Sequence, residues 1–178
     1  LRRGMVTGSN PLDLTLPVSS LASGRRISER LQAAAGDADI EDLWTDFFCV
    51  STNLTRMGPM VHRTGLAWRA IRASMSIPGV FPPVRIDGRE LIDGGVANNT
   101  PISTAIRLGA QRILVLPTGF ACALKRVPGS AIGQALHALS LLVARQLVHD
   151  IERYAGDAAL HVVPPLCPID TSPYDYSA

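Results

Sequence analysis

The residues best placed to do chemistry lie between positions 74 and 101, in the stretch SMSIPGVFPPVRIDGRELIDGGVANNTP. Glu90-Leu91-Ile92 reads as a strand that delivers Asp93 at its carboxyl end. Gly94 and Gly95 then turn the chain. A helix follows, with Thr100 as its N-cap and Pro101 in its first position. In open α/β sheets, sites gather at the carboxyl ends of strands, and paired glycines permit unusual dihedrals and close backbone approach. On spacing alone, Asp-Gly-Gly is also a common turn. The four histidines add little. Asp93 followed by His161 matches the Ser, Asp, His order of the α/β-hydrolases, but no Gly-x-Ser-x-Gly elbow accompanies them. His137 and His149 fall on one helix, twelve residues apart, so roughly 18 Å along its axis and about 120° around it, too far to share a metal. Cys49, Cys122 and Cys167 form neither a disulfide framework nor a metal pair and read as inert thiols in a reducing compartment.

The elements that must position these residues follow from periodicity and punctuation. A helix is expected from Gly24 to Ala35, stopped by Gly36, and a short helical turn over Ile40–Trp44. Phe47–Thr52, Arg112–Leu116 and Ala159–Val163 are nearly continuous apolar runs, expected as buried strands. Val61–Arg63 reads as an edge strand and residues 66–75 as a helix. Val84-Arg85-Ile86 and Glu90-Leu91-Ile92 flank Asp87-Gly88, the signal of a hairpin. After a helix ending at Gly109, Ser130 caps the longest helix, which runs to about Tyr154 with apolar residues every three or four positions. Strands alternating with helices predict an α/β fold with a largely parallel sheet. The proline-rich tail reads as irregular.

Composition narrows the function classes. A chain of 178 residues, 47% apolar and 18% charged with net charge +2, suits one globular domain burying about 70% of its unfolded surface, not a disordered chain or a nucleic-acid binder. The longest apolar stretch, Ala138 to Ala144, contains Ser140 and stops at Arg145, short of the ~18 residues of a membrane span. Leu1-Arg2-Arg3-Gly4 is basic without the apolar region of a secretory signal.

Several blocks in a fixed order carry more weight than any one of them. ISERL at 27–31, IEDLWTDF at 40–47, FFCVSTNL at 47–54, and IPGVFPPV followed by Asp-Gly-Gly together resemble the second half of the patatin-like phospholipase family. The resemblance, which runs from about residue 12 to 176, is nearest to bacterial members related to the neuropathy target esterase catalytic domain. It implies a layered α/β/α fold with a mostly parallel sheet, incomplete at its N-terminus. It implies a lipid acyl hydrolase with a Ser-Asp dyad, no catalytic histidine, and no metal or organic cofactor. By match to the family's second motif, Asp93 looks like the dyad base, and Gly94 and Gly95 let its loop approach the serine. A carboxylate of ordinary pKa near ~3.9 is a weak base, so apolar neighbours must raise its basicity; Ile77, Val80, Phe81, Leu91 and Ile92 are the candidates.

The sequence also departs from that family. No Gly-x-Ser-x-Gly occurs, since Gly8-Ser9 and Gly129-Ser130 place serine directly after glycine. The Gly-rich oxyanion loop is missing as well. The expectation is therefore a single partial domain over residues 1–178, the carboxyl-terminal part, with Leu1 a cut point and the nucleophile in a missing N-terminal half. Alone it is expected to be inactive, because covalent catalysis needs a nucleophile beside its base. Expected partners are phospholipid, lysophospholipid or acyl-ester substrates, in the cytoplasm, with peripheral membrane contact. The rival class is a non-catalytic lipid-binding or interaction fragment of a truncated gene product. A nucleotide-binding protein ranks last, since GxGxxG and the P-loop are both absent.

Overall fold

Four short strands, joined in two pairs by tight turns, share the first half of the chain with three helices. The computed structural model describes residues 13, 14, 20–117 and 127–164, and the chain divides into two compact units, Leu1–Asn98 and Asn99–Ala178. In the first unit, β1 (Cys49–Asn53), β2 (Gly58–His62), β3 (Val84–Ile86) and β4 (Arg89–Asp93) form a four-stranded sheet in the order β2-β1-β4-β3. Every pairing in it is antiparallel. Asp87 and Gly88 take the left-handed conformation, φ 49° and 73°, the pair of positive φ values that a two-residue hairpin with native twist needs.

Three helices complete this unit: α1 (Arg25–Ala35), α2 (Ala67–Ser74) and α3 (Gly95–Asn98), with a 3₁₀ turn at Ile40–Asp42. The start of α1 is capped from a distance. Asp13 accepts hydrogen bonds from the Gly24 and Arg25 N–H groups at 2.9 and 3.0 Å and from the Ser23 hydroxyl. Desolvation acts against the charge, but the bonds together outweigh it and hold the Asp13 carboxyl at a pKa of about 2. Gly36, with φ 59°, ends α1 and donates to the Gln32 carbonyl at 2.7 Å. An alanine face lets α2 sit close on the sheet: Ala67 and Ala70 bury against Ile40, with Cys49 beside them.

In the second unit, α4 (Ile102–Arg107) precedes β5 (Arg112–Val115), α5 (Ala131–Tyr154) and β6 (Ala159–Val162). Ser130 caps α5 as expected, its hydroxyl accepting from the Gly133 N–H at 3.1 Å. β5 and β6 pair in parallel. Ile102, Val115 and Leu147 make the buried cluster, flanked by Ile106, Ile113 and Leu160.

The α/β class is as expected, but the mostly parallel pairing holds only for β5–β6. Parallel strands need a crossover of a dozen residues or more. α5 provides one, whereas the two-residue turn between β3 and β4 and the four-residue turn between β1 and β2 permit only antiparallel neighbours. Thr100 is not the cap of α4; Pro101 holds that position, without a side-chain bond. Asn98 instead ends α3, a four-residue turn of helix too short for periodicity to reveal. β5 and β6 form where expected but are not buried strands: Leu114 is 65% exposed and His161 is exposed. α5 has only Leu147 buried among its 24 residues. By length and composition it is long and apolar enough to cross a membrane, which counting uninterrupted apolar residues concealed. The tail beyond residue 164, with Cys167, lies outside the described residues, as does Cys122.

Candidate active site

Asp93 is the last residue of β4, opposite Ser51 of β1. Directly opposed residues of an antiparallel pair share a face, with Cβ atoms about 4.5–5.5 Å apart, so the Asp93 carboxyl shares its face of the sheet with Ser51. Its backbone is fastened on both sides. The Asp93 N–H donates to the Ser76 carbonyl at 2.9 Å, and the Asp93 carbonyl accepts from Thr52 Oγ1 at 2.8 Å. Thr52 Oγ1 in turn accepts from the Ala97 N–H at 3.2 Å, tying α3 to β1.

The carboxyl itself has one fixed oxygen. Oδ1 accepts from the Gly95 N–H at 2.7 Å, and no partner for Oδ2 is found among the described residues. Burial raises the Asp93 pKa above the ordinary carboxylate value, and the Gly95 bond opposes that in part. Of the apolar neighbours named from the sequence, Phe81, Leu91 and Ile92 are buried, Val80 is half-buried, and Ile77 is 37% exposed. The IPGVF segment is a pinned turn: Gly79 and Val80 carbonyls accept from the Leu21 and Ala22 N–H groups, each at 2.9 Å.

The two glycines have local roles in this loop that need no unusual dihedral. Neither is among the residues with positive φ. Gly94 is required sterically: a Cβ there would overlap the Val50 carbonyl, whose carbon would lie 2.8 Å away. Gly95 opens α3 and supplies the N–H that orients Asp93.

Sequence reading missed Ser51, Thr52 and His62. Ser51 Oγ and His62 Nε2 are 2.7 Å apart and buried. Desolvation depresses the His62 pKa, with the charge of Asp87 pulling the other way. The only signal in the sequence was an uninterrupted polar run, Ser51-Thr52-Asn53, inside a strand that should have been apolar. A shallow groove of about 370 Å³ opens along Thr52, Leu54, Met57, Pro59, Ile92 and Val96. Thr52 and Ile92 alternate with Ser51 and Asp93 along their strands, so they face away from the carboxyl. Cys49 is the one described cysteine, and burial pushes its thiol up to about 12, which keeps it inert. His137 and His149 lie on α5, and no cluster of metal-ligating side chains occurs among the described residues.

Comparison with known proteins bears on this arrangement directly. The Patatin-like phospholipase family model matches residues 2–106, which include the whole sheet around Asp93. The chain belongs to the patatin-like phospholipase family. Lysophospholipase NTE1 of Meyerozyma guilliermondii is 41% identical over 107 residues, 60% of this chain and 7% of that protein. Lysophospholipase NTE1 of Saccharomyces cerevisiae is 40% identical over 109 residues, 61% of this chain and 6% of its own length. Neuropathy target esterase sws of Drosophila melanogaster is 40% identical over 110 residues, 61% of this chain and 8% of that protein. The patatin-like segment thus corresponds to a small part of much longer relatives.

Proposed function

We propose that Asp93 is the general base of a Ser-Asp dyad that hydrolyses carboxylic esters of phospholipids or lysophospholipids. The observation that supports this most is the state of its carboxyl: half-buried, raised in pKa, with Oδ1 held by Gly95 and Oδ2 unengaged among the described residues. A carboxyl oriented by one oxygen and open at the other can take a proton from a serine hydroxyl as that oxygen attacks the ester carbonyl. The proton passes to the departing alcohol. Asp93 then activates water, which releases the fatty acid. No Gly-x-Ser-x-Gly is present in these residues, so in this proposal the serine and the oxyanion donors come from a further segment, completing the partial domain. The reaction as written calls on no metal or organic cofactor. Cytoplasmic placement with peripheral membrane contact is part of the same proposal, and the length and apolarity of α5 bear on the membrane contact alone.

A specific fact favours one rival: without an elbow, the same fold would serve as a lipid-binding module that turns nothing over. One assay separates the two. The 178-residue chain should be silent towards p-nitrophenyl and lysophospholipid esters. Joined to an elbow-bearing segment from a patatin-like relative, it should hydrolyse them, and Asp93→Asn should lower that rate by roughly 10²–10⁴, the usual value of a general base. Hydrolysis indifferent to Asp93→Asn, or lipid binding without turnover in the joined protein, would overturn the dyad.

A further inference from the structure

We propose that Arg72 and Ser76 form a buried brace whose task is to hold Asp93 in position. This rests on the reading of Asp93 as the base and adds two positioning residues to it. Arg72 is 4% exposed and Ser76 fully buried. Arg72 Nη1 donates to Ser76 Oγ at 2.6 Å, and that hydroxyl donates to the Arg72 carbonyl at 2.8 Å. The loop of two bonds closes the carboxyl end of α2, where carbonyls would otherwise lack partners. The same end of α2 carries the acceptors for the site: the Ser76 carbonyl takes the Asp93 N–H at 2.9 Å, and the Ser74 carbonyl takes the Gly94 N–H at 3.2 Å. The path from guanidinium to catalytic loop is thus two hydrogen bonds long.

The guanidinium is itself held tightly. It lies 4.9 Å from the centre of the buried Phe81 ring, a cation–π contact. On another side it presses against Gly24, where a Cβ would come within 2.9 Å of its Cζ. Burial works against its ionised form, and the nearby Asp13 charge offsets part of that cost. Nε has no hydrogen-bond partner among the described residues. A buried arginine left partly unsatisfied is an expensive way to fill space. Leucine or methionine would pack the same volume between Gly24 and Phe81, but neither could grip Ser76. The arginine acts through the backbone: it is not among the charges that shift Asp93.

The experiment is amide hydrogen exchange followed by NMR on the 178-residue chain, comparing Arg72→Met, Arg72→Lys and Ser76→Ala with the parent. Arg72→Met should speed exchange of the Asp93 and Gly94 N–H groups roughly tenfold beyond any change in the β1–β2 ladder, as expected for local weakening of a hydrogen bond. Arg72→Lys, which keeps a cation and one donor, should recover part of it. Ser76→Ala should give the same local pattern, and it serves if Arg72→Met does not fold. Exchange that rises equally across the sheet, or stays unchanged at Asp93 and Gly94, would overturn the brace. Because exchange reads position and not turnover, its outcome is independent of whether Asp93 proves to be the base. In the elbow-joined protein, Arg72→Lys should lower kcat and leave KM unchanged, whereas loss of folded protein alone would scale activity with the folded fraction.

Discussion

The two units of the chain bury their apolar residues to different degrees. In Leu1–Asn98, Ala22, Leu31, Ile40, Val50, Phe81, Leu91 and Ile92 are buried, and so are Ser51, Thr52, His62, Arg72 and Ser76, each with a hydrogen-bonding partner. In Asn99–Ala178, the described buried residues are Ile102, Thr104, Val115 and Leu147, while Leu114, Leu116, Ile132 and Leu142 stand exposed. Hydrophobic content alone therefore does not locate the core. What distinguishes the first unit is a set of buried polar side chains hydrogen-bonded to one another or to backbone near Asp93. Such groups cost stability when unpaired, so they tolerate only one arrangement. The matched family segment, residues 2–106, falls almost entirely within that unit.

The sharpest way to break this contrast is to make the same substitution in both units. Leu91 is fully buried, and Leu142 is 67% exposed. Leu91→Ala should cost about 2–5 kcal/mol through lost burial and a cavity. Leu142→Ala should stay within about 0.5 kcal/mol, as surface changes do. Denaturant titration measures both, and equal costs would mean that Leu142 is covered in solution. A second pair uses glycine. Gly94→Ala drives a methyl into the Val50 carbonyl and should cost about 1–3 kcal/mol or more, because overpacking against backbone cannot relax by a rotamer change. A methyl added at Gly156 would meet nothing within 4 Å, and Gly156 has no positive φ, so Gly156→Ala should be neutral, or stabilising by about 0.4–1 kcal/mol through the unfolded chain.

What the sequence revealed follows the range of the forces involved. Local chemistry was readable: Asp87-Gly88 announced its hairpin, Gly36 its helix stop, and Ser130 its cap, each within a few residues. Long-range pairing was not. Nothing near residue 51 says that Ser51 will face Asp93 across an antiparallel pair, or that Asp13 will cap a helix beginning at Arg25. Periodicity found β5 and β6 but could not say whether their apolar faces would be covered, since it reports a pattern and not a partner. Asp93 was legible only through its motif and flanking blocks. The residues that fix it looked like ordinary polar positions because Thr52 and Ser76 reach Asp93 across 41 and 17 residues of chain, and Arg72 reaches it only through Ser76.

The smallest expected effect tests the carboxyl directly. Asp93 has an ordinary value of 3.8 when unfolded, and burial raises it in the fold. Between 3.8 and that raised value the native state holds more protons than the unfolded state, so stability falls as pH climbs through the window and remains lower above it. Asn cannot ionise, and its side-chain oxygen still accepts from Gly95. Asp93→Asn should therefore melt at a higher temperature than the parent at about pH 7, and the gain should shrink and vanish as pH falls below 3.8. If Asp93→Asn were instead less stable at neutral pH than in acid, relative to the parent, the Gly95 hydrogen bond would outweigh burial. The carboxyl would then sit below its ordinary value, and the first unit would have spent its buried polar contacts on an anion too weak to serve as a base.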